Sequence, residues 1–200
     1  MYNIRYGLSY LLHRFKANNR HGIHSPFVYK LIDTVIYDYR AQKVYREIAD
    51  LIRQQHPDRR MINAFPFKVY NLLYRLAAYF NPATVVFAGD ENGMLSVPVK
   101  KAVPKALFFN LQKLTNSTRS DMIIIDASVH DITQYLEKSL PHVHDDTVLM
   151  YTNIHRTKKI KRDWEVLKTD ERVRVTIDLY YLGLVFFKPG MSKEDFRVRY

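Results

Sequence analysis

No cysteine occurs among the 200 residues of this chain. Disulfides, thiolate zinc sites and cysteine nucleophiles are therefore excluded. No apolar run is long enough to span a bilayer. The opening residues, Met1-Tyr2-Asn3-Ile4-Arg5-Tyr6, lead straight into an amphipathic pattern rather than a signal peptide. Internal repeats, low-complexity linkers and Arg/Gly-rich tracts are missing as well. These absences, with a hydrophobic fraction of 47%, set the expectation of one cytoplasmic globular unit with a core of ordinary size.

Acidic residues are the scarcer charge, 20 against 31 Lys and Arg, for a net charge of +11. Residues 1–60 hold 11 Lys/Arg against 5 Asp/Glu, residues 61–150 hold 8 against 8, and residues 151–200 hold 12 against 7. The basic excess thus lies outside the middle of the chain. Such a surface attracts nucleic acid, anionic lipid or an acidic partner, or it only keeps the protein soluble.

Periodicity divides the chain in two. Residues 1–66 read as a helical N-terminal region. Ile4, Leu8, Leu11, Leu12 and Phe15 share one face at helical spacing. Ser25-Pro26 reads as a helix start, followed by an apolar face of Phe27, Val28, Leu31, Ile32, Val35 and Ile36. Val44, Ile48, Leu51 and Ile52 mark a third helix, broken at His56-Pro57-Asp58-Arg59-Arg60. Faces this broad predict packing on the rest of the chain or, in a homo-oligomer, on a second subunit.

Residues 67–200 begin with a fourth helix, ended by Asn81-Pro82. Strands then alternate with helices: strands at 84–88, 106–110, 122–126 and 147–151, helices at 94–103, 131–139 and 157–168. Val173, Val175 and Ile177 alternate as a further strand, and Leu184-Val185-Phe186-Phe187 forms the last. This order predicts an α/β fold with a mainly parallel sheet of about six strands and an antiparallel C-terminal edge, one compact unit overall. The strand ending at Ala88 is expected between those ending at Asn110 and Asp126.

The most informative stretch is Thr84-Val85-Val86-Phe87-Ala88-Gly89-Asp90-Glu91-Asn92-Gly93. A β-branched run halts at one glycine, and a second follows four positions later before a helix. A strand enters a nucleotide-cradling turn in this way. Gly89 and Gly93 either let the backbone approach a ligand or only permit the turn. Asp90 and Glu91 disfavour a phosphate there but tolerate a cation.

Three segments carry a family resemblance. His21-Gly22-Ile23-His24-Ser25-Pro26-Phe27-Val28-Tyr29, the stretch Val175 to Phe187, and the pair Ile123-Ile124-Ile125-Asp126 and Asn153-Ile154-His155 resemble bacterial class I S-adenosylmethionine-dependent methyltransferases of the O-methyltransferase type. The resemblance implies a Rossmann-like methyltransferase domain, the cofactor S-adenosylmethionine and a small-molecule oxygen acceptor. It also implies cofactor contacts at Gly89, Gly93 and Asn110, with catalytic roles for Asp126 and His155. Several positions depart from it. Phe87 stands where the family carries an acidic residue, and Asn110 stands in the place of a ribose-binding carboxylate. Leu111 to Ser120 is too short for the family's next helix and strand, so one βα unit is deleted. Asp126 matches one ligand of the magnesium site of catechol-type relatives, but Thr152-Asn153 replaces the Asp-Asn that completes it, and no metal site is expected. Weak or absent cofactor binding follows, as in a pseudoenzyme. The alternative role is non-catalytic binding of an acidic partner or nucleic acid through the basic surface, with Arg156, Lys158, Lys159, Lys161 and Arg162 on one helix.

His130 and His155 are general-base candidates by residue type. His21 with His24, and His142 with His144, lack a third ligand at suitable spacing. Trp164 is expected in the core.

Overall fold

The computed structural model describes residues 4–18, 22–55, 66–90, 93–115, 118–126 and 132–200. His21, the break at His56–Arg60, Glu91 and His130 lie outside the described residues. Two compact units interleave along the chain: residues 1–23, 84–89 and 107–200 form the first, and residues 24–83 and 90–106 the second.

The first unit carries the sheet. Its strands are β1 (Thr84–Ala88), β2 (Leu107–Asn110), β3 (Met122–Ile125), β4 (Val148–Thr152), β5 (Val175–Asp178), β6 (Leu182–Phe186) and β7 (Glu194–Arg197). Their order is β2-β1-β3-β4-β6-β5-β7. The strand ending at Ala88 lies between its two expected neighbours, with Phe87 level with Asn110 and Ala88 level with Ile125. β6 alone runs against its neighbours, pairing antiparallel with β4 and β5. The expected antiparallel C-terminal strands are thus present, and a seventh strand, β7, closes that side parallel to β5. The sequence Glu194-Asp195-Phe196-Arg197 hid β7, because an edge strand wet on both sides has no apolar alternation. At the opposite side β2 is the edge, and among the described residues a 3₁₀ turn (Leu111–Lys113) is the one element between its end and β3.

Period-two alternation sends Val86, Ala88, Ile123, Ile125, Leu149, Tyr151 and Val185 to one face of the sheet. The helices α6 (Ile132–Ser139) and α7 (Lys158–Thr169) cover it with Leu136, Ile160, Trp164 and Leu167. Trp164 is buried as expected and stacks on Tyr151, ring centres 6.3 Å apart.

The helix α1 (Ile4–Lys16) also belongs to this unit, but its orientation reverses the expectation. Leu8, Leu11, Leu12 and Phe15 are 56%, 50%, 61% and 83% exposed. The opposite face, Tyr6, Tyr10, His13 and Ala17, turns inward. Its rings and polar groups find fixed partners there, which outweighs the simple apolar count. Asn18 then pairs with Val198, extending the β7 edge.

The second unit is helical: α2 (Pro26–Leu31) continuing into a π-helical turn (Ile32–Ile36), then α3 (Lys43–Gln55), α4 (Phe67–Phe80) and α5 (Ser96–Ala102). Ser25 caps α2 and proline opens it. Arg75 is buried on α4. Its Nε donates to the Val35 carbonyl at 2.8 Å and its Nη2 to Ile36 at 3.3 Å, so it satisfies carbonyls released by the π-helical turn.

Gly183 on β6 is required by packing. A Cβ there would lie 2.5 Å from Cζ3 and 2.6 Å from Cη2 of Trp164. Gly183→Ala should lower stability by about 1–3 kcal/mol through overpacking. Thermal unfolding measures this, and an unchanged melting temperature would mean the indole has room to shift.

Candidate functional site

The carboxyl ends of β2, β1 and β3 bring together Asn110, Gly89 and Asp126. Asp126 N–H donates to the Ala88 carbonyl at 2.8 Å, which places it beside Gly89. Gly89 and Gly93 both have positive φ, 81° and 71°, a conformation that favours glycine. The chain passes from the first unit to the second between Gly89 and Asp90, so Gly93 belongs to the second unit.

Polar groups here are used within the chain. Asn110 Oδ1 accepts the Gln112 N–H at 2.9 Å and caps the 3₁₀ turn. Asp90 accepts from Leu95 N–H at 3.2 Å and Ser96 N–H at 2.9 Å, at the start of α5. A carboxylate in that position satisfies the helix's free donors and complements its dipole. Phe87 stacks on Phe108 with ring centres 6.3 Å apart. Phe87 and Asn110 thus each have a partner within the chain.

Asp126, Thr152 and Asn153, set against the magnesium ligands of catechol-type relatives, make hydrogen bonds within the chain. Thr152 Oγ1 donates to Asp126 Oδ1 at 3.3 Å, joining two side chains where two carboxylates would share an ion. Asn153 is buried, adopts φ 55°, and accepts from Tyr6 Oη at 3.4 Å. One carboxylate is too few for a hard dication.

The strongest cluster lies farther along the same edge, and only one member was a sequence candidate. Asp178 ends β5, buried. Its Oδ1 accepts from His13 Nε2 at 2.9 Å and from Tyr180 N–H at 2.9 Å. Its Oδ2 accepts from His155 Nε2 at 2.8 Å, with Arg197 Nε 3.8 Å away. Tyr180 lies flat on His155, centres 4.9 Å apart and planes 5° from parallel, and its Oη donates to the Tyr6 carbonyl at 2.6 Å. Tyr180 has φ 72°, uncommon for a bulky residue. The bond from its N–H to Asp178, two residues back, holds that turn. Tyr10 Oη donates to the Tyr200 carbonyl at 2.9 Å. Together these bonds fasten α1 across the carboxyl ends of β4 and β5.

Of the two catalytic candidates, Asp126 thus accepts from Thr152, and His155 bonds Asp178. His142 and His144 are also structural: His142 Nδ1 meets the Thr118 carbonyl at 2.7 Å, and His144 Nε2 meets Asp121 at 3.1 Å. His13 and Asp178 carried no local signal, being 165 residues apart. The one hint was a histidine at helical spacing from Tyr6 and Tyr10.

His13, His155 and Asp178 are the group of three metal-ligating side chains found among the described residues, with ligand atoms within 4.8 Å of one another. The second ring nitrogen of His13 bears on that role. His13 Nδ1 is buried without a partner. If Nε2 held a metal, the proton would sit on Nδ1 as an orphaned donor, whereas ligating histidines bond their second nitrogen. If Nε2–H donates to Asp178, Nδ1 is only an unfilled acceptor, which is less costly.

Known structures share this architecture. A methyltransferase of Podospora anserina with SAH bound superposes at TM-score 0.60 and 10% identity, over 83% of this chain and 97% of its own. The O-methyltransferase of Bacillus cereus in complex with SAH gives 0.56 at 13%, over 78% and 94%. The O-methyltransferase of Streptomyces achromogenes involved in tomaymycin synthesis, in complex with SAM, gives 0.52 at 15%, over 78% and 95%. The fold is that of the class I S-adenosylmethionine-dependent O-methyltransferases. No protein-family model and no curated protein matches the chain by sequence.

Burial raises the Asp178 carboxyl, but the bonds from His13 and His155 outweigh it and hold the group well below the ordinary carboxylate range. A depressed carboxyl stabilises the fold fully above its unfolded value of about 3.9 and loses that contribution as pH falls toward the folded value. Asp178→Asn should therefore cost about 3–5 kcal/mol at neutral pH. It should also flatten the fall in stability below about pH 4. Denaturant unfolding across pH checks both, and equal acid slopes in the two proteins would contradict the assignment.

Proposed function

We propose that this chain is a divergent methyltransferase-fold protein whose S-adenosylmethionine site is degraded, and that it acts by binding rather than by turnover. The observation that carries this reading is Asn110. The residue at the ribose position offers one amide oxygen, and that oxygen already caps the turn after β2. Replacing a charged hydrogen bond at that point costs on the order of 1.5–3 kcal/mol, or about ten- to a hundredfold in affinity. The Phe87–Phe108 pair and the missing βα unit add to the loss.

The partner this reading favours is acidic, a nucleic acid or an acidic protein. Arg156, Lys158, Lys159, Lys161 and Arg162 are all exposed at and along α7, and Lys159 forms an ion pair with Asp163 at 3.2 Å. The competing reading is methyl transfer to a small-molecule oxygen acceptor, with Asp126 and His155 as the reacting side chains. It draws on the retained positive-φ glycines and on neighbours that hold SAM or SAH.

Calorimetric titration separates the two. No measurable binding of S-adenosylmethionine or S-adenosylhomocysteine is expected, and Asn110→Asp should recover the ribose contribution alone. A micromolar dissociation constant in the unmodified protein would return the enzyme reading to first place.

A further inference from the structure

We infer that the outward face of α1 docks on an anionic lipid bilayer. Leu8, Leu11, Leu12 and Phe15 recur at i, i+3, i+4 and i+7, so they form one continuous stripe. Each is at least half exposed, and Phe15 is 83% exposed. A contiguous stripe of this kind marks an interaction surface, whereas single exposed leucines do not. The helix cannot roll to hide it. Its other face is tied down by His13 to Asp178, by Tyr10 to the Tyr200 carbonyl, and by Tyr180 to the Tyr6 carbonyl.

Charge selects the occupant. The helix holds Arg5, Arg14 and Lys16 and no acidic residue. Arg14 and Lys16 are exposed, and by helical phase they fall on opposite margins of the stripe. Backbone pairing of Arg199 with Asn18 adds another basic residue at the helix end. An apolar stripe with basic margins suits the headgroup–acyl boundary of an anionic membrane. There leucine and phenylalanine enter the acyl region, and long basic side chains reach the phosphates. A second copy of this chain fits less well, since two-fold contact through this face would join two basic-margined helices with no acidic residue on either to answer Arg14 and Lys16. Among the described residues no helix is long and apolar enough to cross a membrane, so the mode is lying on the surface. This inference is independent of the cofactor reading.

The test is co-sedimentation of the full chain with vesicles of phosphatidylglycerol and phosphatidylcholine, and with phosphatidylcholine alone. Binding to the anionic vesicles, weakened by added salt, is expected. The neutral double variant Leu12→Ser/Phe15→Ser should reduce partitioning by about tenfold or more, with unchanged circular dichroism. In a second variant, Phe15→Trp, the fluorescence should shift to the blue on the anionic vesicles, since the native Trp164 is already buried. Failure to sediment, sedimentation unaffected by the serine variant, or no blue shift would each overturn the proposal. So would a dimer that the serine variant dissociates without any vesicle binding.

Discussion

A single buried carboxylate organises the C-terminal half of the sheet edge. Asp178 accepts from two imidazoles and a main-chain amide, and these partners arrive from α1, from the loop after β4 and from its own turn. Without it, Tyr180 would lose the bond that holds its positive φ, and His155 would lose the anchor that keeps it flat against Tyr180. α1 would lose its central tie to the sheet. A buried charge is tolerable only when its lone pairs are filled in this way. The cluster therefore acts as a fastening.

The same economy holds at the other end of the edge. Methyltransferase folds place their ligands outside the carboxyl ends of the strands, beside the point where strand order reverses. In this chain β1 sits at that point, and the glycines that permit close approach remain. Polar side chains here are bonded within the chain. Asp90 caps a helix, Asn110 caps a turn, and Thr152 bonds Asp126. Asn110 is the clearest case, because an amide has one acceptor oxygen where a carboxylate has two.

Much of the architecture was legible in the sequence. β1, β3 and β4 are β-branched or apolar runs ended by turn residues, and the neighbours of β1 follow from the order of elements. The positive-φ turn at Gly89 was legible too, because a β-branched run that halts at a glycine marks it. The inward face of α1 was not legible. Counting leucines pointed the helix the wrong way, since tyrosine and histidine bury well only when their polar ends find partners. Those partners, Tyr200 and Asp178, lie at the far end of the chain. β7 was hidden for a related reason: its residues Glu194, Asp195 and Arg197 are exposed, so its place rests on backbone pairing and on polar side-chain contacts such as Thr176 Oγ1 to Asp195.

The central claim is that the polar groups at this edge serve the fold and not a cofactor. Residue-resolved amide exchange, with and without saturating S-adenosylhomocysteine, tests it most directly. Leu95, Ser96 and Gln112 should exchange slowly in the free protein, because Asp90 and Asn110 already hold their N–H groups, and the ligand should leave their rates unchanged. Fast exchange at these three amides that slows when the ligand is added would contradict the account.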